Sequence, residues 1–218
     1  MGKRRSKRVG EPRAWTRGSR GGRRNRARGG YSLVELIVVI AIVAVTMAIA
    51  VPVLDRAADT ADAAAAARYV ASVIARARFD AARQQRAQAV RFSRGAAVAF
   101  TVAADGDGDG VTSADVTAGI DPVVRPLDRL DDHFPRARFG LAGAMPAIDE
   151  ARLLTSADDP IRVGSADQLT LTPLGTATSG TVYIASRGGV QFAVRVAGVT
   201  GRTRVLRYDP GPRTWRTY

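Results

Sequence analysis

The stretch "YSLVELIVVIAIVAVTMAIAVPVL" at residues 31–54 runs directly into "DRAADTADAAAAARYVASVIARARFDAARQQRAQ" at residues 55–88. Residues 36–54 are 19 residues without a charge, about enough to cross the hydrocarbon core of a bilayer at roughly 1.5 Å per residue. Apolar residues fall on every side of the predicted helix, whereas a soluble helix would keep a polar stripe. The stretch therefore predicts a membrane-spanning helix with one carboxylate, Glu35, at its head.

Residues 55–88 predict a continuation of that helix. They contain no Gly and no Pro, and the good helix formers Ala and Arg dominate them. Apolar side chains at helical spacing form one modest stripe: Val70, Val73, Ile74, Ala77 and Ala81. We expect one continuous helix, kinked at Pro52, whose second half packs on a sheet.

The C-terminal region, residues 89–218, changes to the period of β-strands. Two alternating segments around Ser93-Arg94-Gly95 predict a hairpin. Further strands separated by Gly-bearing turns are predicted at residues 168–174, 180–186, 190–197 and 203–208. No helical segment separates these strands, so the sheet should be largely antiparallel. The sequence thus predicts an α+β fold, a long N-terminal helix packed on a C-terminal antiparallel β-sheet, and leaves residues 121–160 unassigned.

The charge of the chain is concentrated at its N-terminus. Residues 1–30 hold twelve Lys and Arg and one acid, so they account for +11 of the formal charge of +13. Such a basic segment beside an apolar helix stays in the cytoplasm, which places the rest of the chain across the membrane. The absence of Cys excludes disulfides and thiolate chemistry. The single histidine, His133, is predicted to be a loop or surface residue.

The residues Gly30-Tyr31-Ser32-Leu33-Val34-Glu35-Leu36 resemble the prepilin signature of type IV pilins and type II secretion pseudopilins. The resemblance implies a pilin-like fold and a single-pass protein of the inner membrane with a periplasmic or otherwise extracytoplasmic C-terminal domain. Prepilin peptidase would cut after Gly30, remove the 1–30 leader and methylate the new amine of Tyr31. An ordinary signal peptide cleaved near "AIAVPV" is the alternative, and it gives Glu35 no role.

Two departures from the prepilin pattern concern the segment before the cut and the residue after it. The leader is longer than is usual in the family, and Tyr31 stands where Phe is commoner. Neither departure changes the chemistry of cleavage, since the peptidase reads chiefly Gly30. The long leader also leaves open a later start codon.

The resemblance gives Glu35 a role in assembly. In a filament its carboxylate enters an apolar bundle, where an unpaired charge is costly. The Tyr31 ammonium of a neighbouring subunit would neutralise it, so we expect Glu35 to set the axial register. The implied partners are other pilin or pseudopilin subunits, prepilin peptidase, the inner-membrane assembly platform and the membrane itself.

Beyond the N-terminus the chain is similar to the GspH/FimT group of minor pseudopilins. The similarity lies in a helix ending "ARFDAARQQRAQAVRFS", a hairpin, an Asp-Gly loop and strands ending at Gly201-Arg202. It implies a structural subunit of a type II secretion pseudopilus without catalysis or a cofactor. The alternative is a FimT-like minor pilin of a type IV pilus that binds DNA in competence or twitching.

The segment "DGDGDGVTSAD", residues 105–115, has two interpretations. Asp105, Asp107 and Asp109 match the first half of an EF-hand-like calcium loop, in which alternate carboxylates converge on one cation. Val116 occupies the position of the closing bidentate acid, and Asp115 comes one residue early. The segment is either a calcium site made by these four aspartates or a hydrophilic turn between strands.

The C-terminal arginines also have two interpretations. Arg202 and Arg204 share one face of a predicted strand, since alternate residues of a strand point the same way. Aromatic residues interleave with the arginines of this end: Tyr208, Trp215 and Tyr218. Such a surface contacts DNA through phosphate pairing and stacking. A solvated edge strand protected by arginines is the alternative.

Overall fold

The computed structural model describes residues 30–95, 97–164 and 166–218, so the leader apart from Gly30 lies outside the described residues. The described residues divide into two compact units, with the boundary between Ala44 and Val45. A single helix, α1, Leu33–Gln84, begins in the first unit and ends in the second. The predicted continuity through Pro52 is confirmed, although proline has no N–H for the carbonyl of Ala48. The bend at Pro52 stays a prediction.

The helix ends four residues before the predicted boundary at Gln88. Gln85 adopts a left-handed φ of 55°, and the N–H of Arg86 turns back to the carbonyl of Ala81 at 3.2 Å. This is a common way for a helix to stop, because it satisfies a carbonyl of the last turn. Gln88 already belongs to the first strand.

Fourteen shorter elements follow α1 among the described residues. They are β1 Gln88–Ser93, β2 Ala99–Ala104, α2 Ser113–Ala118, β3 Val123–Arg129, α3 Leu130–His133, β4 Ala137–Phe139, β5 Met145–Pro146, β6 Leu153–Leu154, β7 Ile161–Val163, β8 Gln168–Leu171, β9 Gly180–Ser186, β10 Gln191–Ala197, β11 Arg202–Asp209 and β12 Thr214–Thr217. The strand predicted at 180–186 is confirmed, whereas the one predicted at 168–174 stops at Leu171. No pattern in the sequence predicted β12, and β3 to β6 fall in the unassigned region.

The strands form two main sheets and one small hairpin. The first sheet has the order β3-β2-β1-β8, and the second has the order β12-β11-β10-β9-β4 with β7 also paired to β9. The strands β5 and β6 pair with each other. Every pairing in the described part of the chain is antiparallel, which confirms the predicted α+β layout of a long apolar helix on antiparallel sheets.

The second half of α1 packs against the sheets through the predicted stripe. All five stripe residues are buried, and four of them join a core cluster with side chains of both sheets. Ala63, Ala66 and Ala67 have no exposed surface, so the backbone of α1 lies close to the strands at these positions. Burying a Val, Ile or Phe side chain stabilises by about 1.5–3 kcal/mol, so this cluster contributes to the stability of the second unit through many such side chains.

Contacts along α1 distinguish two ends of the second unit. The β9–β10 turn lies beside the start of the packed segment, because a Cβ built on Gly188 would be 2.0 Å from Asp59 Oδ2. The β10–β11 turn lies beside its other end, because a Cβ on Gly201 would be 2.9 Å from Arg78 Nε. We call these the proximal and the distal end, and about 28 Å of helix separates Asp59 from Arg78.

Candidate functional site

The predicted cleavage site lies in non-helical chain just before α1. Gly30, Tyr31 and Ser32 are exposed, and a Cβ built on Gly30 would meet no atom within 4 Å. The Ser32 hydroxyl accepts a hydrogen bond from the N–H of Val34 at 3.2 Å, and the backbone carbonyl of Ser32 accepts one from the N–H of Leu36 at 3.1 Å. Ser32 therefore caps the helix and leaves the Gly30–Tyr31 peptide bond accessible to a protease.

The first half of α1 is apolar and uncovered. Its first turn contains Glu35, a favourable place for a carboxylate because the N-terminus of a helix is electropositive. Fifteen large apolar side chains between Leu33 and Leu54 are each at least 44% exposed. The helix is long and apolar enough to cross a membrane, judged by length and composition. This surface needs a bilayer or other apolar helices around it.

Three of the four predicted calcium ligands lie together at the distal end. One carboxylate oxygen each of Asp105, Asp107 and Asp109 lies within 4.8 Å of the others. Asp105 is buried and accepts the N–H groups of Gly108 at 2.7 Å and Gly110 at 3.2 Å. A hydrogen bond to Asp107, together with the negative charge of that side chain, raises the pKa of Asp109.

Asp115 is not part of this group. Its carboxylate accepts the hydroxyl of Thr112 at 2.5 Å, and the Thr112 side chain caps α2. Val116, at the position of the closing acid, packs against the apolar cluster of Ala89, Ala103 and Val111.

A buried aspartate that the sequence analysis missed closes the loop instead. Asp121 accepts the N–H groups of Gly106 and Thr112, both at 2.9 Å. It follows the short helix α2 and falls in the unassigned region, so no spacing pattern related it to Asp105. The loop is thus built on two buried carboxylates, with Asp107 and Asp109 exposed on its outside.

Arg202 and Arg204 lie side by side on β11, both exposed and on one face. Within the described residues neither guanidinium has an ion pair or a hydrogen bond. Arg195, opposite Arg204 on β10, instead forms an ion pair with Asp149. Because β12 pairs only with residues 206–209 of β11, the part that carries the two arginines lies at the sheet edge.

The aromatic residues near these arginines are used in packing. The Trp215 ring lies 5.7 Å from that of Tyr183 and 5.2 Å from that of Tyr208, and its Nε1 donates to the Pro146 carbonyl at 2.9 Å. The Tyr218 ring lies 5.0 Å from Phe192 and beneath the Arg68 guanidinium. The arginine pair therefore stands without the stacking partners that the sequence suggested.

His133 takes part in a polar cluster that ties α1 to β3 and α3. The Tyr69 hydroxyl donates to Asp128 Oδ2 at 2.5 Å, Arg125 Nη2 donates to the same oxygen at 3.0 Å, and His133 Nε2 lies 2.9 Å from Asp128 Oδ1. Burial opposes ionisation of Asp128, but these three hydrogen bonds outweigh it and lower its pKa. Burial and the hydrogen bond to Asp128 raise the pKa of Tyr69.

The model of the prokaryotic N-terminal methylation motif matches residues 25–51. The matched segment contains the predicted cleavage site, Glu35 and most of the apolar part of α1. No curated protein and no solved structure matches the chain. The motif with its apolar helix indicates membrane anchoring, processing by prepilin peptidase and assembly with other pilins.

Proposed function

We propose that this type IV pilin-like substrate of prepilin peptidase is a minor pseudopilin of the GspH/FimT type, a structural subunit of a type II secretion pseudopilus. The observation that carries the proposal is the uncovered apolar half of α1, headed by one carboxylate and preceded by an accessible Gly30–Tyr31 bond. The second half of the same helix packs on antiparallel sheets, as in pilins. Such a subunit acts by assembly and carries out no chemistry.

Cleavage and methylation prepare the N-terminus for assembly. Cleavage after Gly30 creates an amine on Tyr31, and methylation keeps its positive charge. Four residues, equivalent to about 6 Å of helical rise, separate Tyr31 from Glu35, so each subunit carries a cation and an anion close together. In an apolar bundle the pair forms only when neighbouring subunits take one axial offset, because any other offset leaves Glu35 buried without a partner.

Mass spectrometry of the protein from its native membrane tests the processing step. We expect a mature chain that begins at N-methylated Tyr31, and an intact leader or an N-terminus near residues 48–53 would contradict the proposal. Glu35→Ala tests assembly in the processed protein, with Glu35→Asp, which keeps the carboxylate, as the control. Filaments that incorporate Glu35→Ala as well as wild type would remove the role of Glu35 in register.

DNA binding by a type IV pilus minor pilin is the second candidate function. The guanidinium groups of Arg202 and Arg204, exposed and without a partner among the described residues, favour it, since arginine binds phosphate in a bidentate manner. We expect the Arg202→Ala, Arg204→Ala double variant to lose salt-sensitive binding of single-stranded DNA. Arg76→Ala, which removes an exposed arginine from α1, is the control. Equal binding by the double variant would exclude this site.

Calcium binding at Asp105, Asp107 and Asp109 is a further proposal for the distal loop. The three carboxylates lie close enough to share one cation, and a cation would relieve the repulsion between Asp107 and Asp109. We expect calcium to raise the unfolding temperature of the wild type and not that of Asp107→Asn, Asp109→Asn. An unchanged unfolding temperature in calcium would leave the loop as a hydrophilic turn.

A further inference from the structure

The proximal end contains a small basic cavity that the proposed function does not use. It has a volume of about 340 Å³ and opens between the β1–β2 turn at Gly95, the α3–β4 connection and the β9–β10 turn at Arg187. Arg136, Arg138 and Asp131 also line it. The N–H of Arg187 donates to the carbonyl of Arg136 at 3.0 Å, which joins two of its walls.

Arg136 fixes the level of this cavity along α1. Its Nη2 lies 3.2 Å from Asp55 Oδ1 and its Nη1 lies 3.3 Å from Asp59 Oδ1. Asp55 directly follows Leu54, the last residue of the uncharged span. The headgroup region of a bilayer extends about 5–7 Å beyond the hydrocarbon on each side, roughly one turn of helix. Asp62, which accepts the backbone N–H of Arg136, lies eight residues or about 12 Å beyond Leu54, so a chain anchored through this span holds the cavity at the outer edge of the headgroup region, within reach of its arginine side chains.

Some of the charged side chains around the cavity form ion pairs, and others do not. Asp55 and Asp59 pair with Arg136, and Asp62 accepts the backbone N–H of Arg136 at 3.2 Å. Arg138 and Arg187 are exposed, and neither guanidinium has an ion pair or a hydrogen bond in the described part of the chain. The cavity therefore presents two free cations, with Asp131 as the acid in its lining.

We propose that Arg138 and Arg187 bind the phosphate of an anionic phospholipid headgroup and hold the proximal end on the bilayer surface. The proposal rests on the membrane anchoring of the proposed function and adds a lipid partner to it. Guanidinium groups match phosphate oxygens in bidentate geometry. Each arginine near an anionic membrane surface strengthens binding to that surface about fivefold, which is equivalent to about 1 kcal/mol. The two arginines together therefore strengthen this binding roughly 30-fold. Asp131 limits this preference, and Asp131→Asn should increase it.

The full-length chain in lipid nanodiscs provides the test. The sequence contains no Cys, so Ala97→Cys places a unique thiol on the cavity wall. We expect a membrane-impermeant maleimide to react about tenfold more slowly when the discs contain phosphatidylglycerol than when they contain phosphatidylcholine alone. Adding Arg138→Gln and Arg187→Gln should abolish the difference. Adding Arg202→Ala and Arg204→Ala removes the same charge from the distal end and should preserve it.

Equal labelling rates in the two lipids, with the chain embedded in both, would overturn the lipid site and leave the pilin-like function intact. Inorganic phosphate that slows labelling in phosphatidylcholine discs as much as phosphatidylglycerol does would assign the cavity to a free anion and overturn the proposal too. A chain that does not enter discs at all would overturn the anchoring itself, and the headgroup site with it.

Discussion

At the scale of single residues, Gly188 shows how closely the β9–β10 turn approaches α1. A Cβ on this residue would lie 2.0 Å from Asp59 Oδ2, an atom of a buried carboxylate that pairs with Arg136. We expect Gly188→Ala to displace Asp59 and to lower the free energy of unfolding by about 1–3 kcal/mol. Thermal unfolding in detergent would measure the loss.

The matched control for Gly188→Ala is Gly143→Ala. A Cβ on Gly143 would meet no atom within 4 Å, so this variant should unfold at the wild-type temperature. If both variants unfolded alike, the close contact between the turn and Asp59 would not contribute to stability.

Asp128 gives the second unit a pH dependence of known sign. The pKa of Asp128 is lower in the folded state than in the unfolded chain. Its contribution to the free energy of unfolding is therefore fully present above the unfolded pKa of about 3.9 and is lost as the pH falls through the folded pKa. We expect Asp128→Asn to lower stability at neutral pH by about 1–3 kcal/mol and to flatten its decline in acid. The measurement is the free energy of unfolding between neutral pH and pH 3.

Asp132→Asn is the control for this prediction, because Asp132 is an exposed carboxylate of the neighbouring helix α3. The stability of Asp132→Asn at neutral pH should stay within about 0.5 kcal/mol of the wild type, since exposed surface substitutions have small effects. Asp158, whose pKa is lowered chiefly by hydrogen bonds from Thr155, retains its own contribution in both variants. An acid decline in Asp128→Asn as steep as in the wild type would contradict the assignment.

At the scale of elements, α1 has a buried surface in its second half and an exposed apolar surface in its first half, and a pair of matched substitutions tests what each contributes to stability. Ile74 has no exposed surface in the core, whereas Ile49 is 66% exposed in the apolar half. We expect Ile74→Ala to lower the free energy of unfolding by about 2–5 kcal/mol, since it leaves a cavity between helix and sheet. Ile49→Ala should leave the unfolding of the second unit unchanged. Equal losses in both variants would contradict this division.

The elements that the sequence predicted are those with a local pattern. The stripe from Val70 to Ala81 has a clear helical period, and residues 180–186 have a strand composition between glycines. The strand β3 contains Pro126 and two register shifts, so no alternation marks it in the sequence. The strands β4 to β7 are two or three residues long, and β4 and β7 depend on pairing with β9.

The candidate sites show the same limit. The spacing of Asp105, Asp107 and Asp109 is local and can be recognised in the sequence, whereas Asp121 is brought to the loop only by the fold. Likewise Tyr69 and Asp128 are 59 residues apart in sequence, and only the packing of α1 on β3 joins them. Local chemistry can be predicted from sequence, and partners brought from another element cannot.

At the scale of the whole molecule, processing should change the charge more than the size. Removal of residues 1–30 takes away +11 of the formal +13 and leaves +2 on the mature chain. N-methylation keeps the new amine charged, so it does not offset this loss. We expect the native protein to focus at a much lower pH than the unprocessed chain from cells without prepilin peptidase. Identical isoelectric points in the two backgrounds would contradict cleavage.

The uncovered half of α1 also constrains how such a subunit moves. Exposing its fifteen large apolar side chains to water would cost on the order of 20 kcal/mol, far more than thermal motion supplies. The subunit therefore does not pass through a free monomer in water between the membrane and a filament. Departure from one apolar surrounding and arrival in the next therefore have to occur together, without exposure of this half of the helix to water between them.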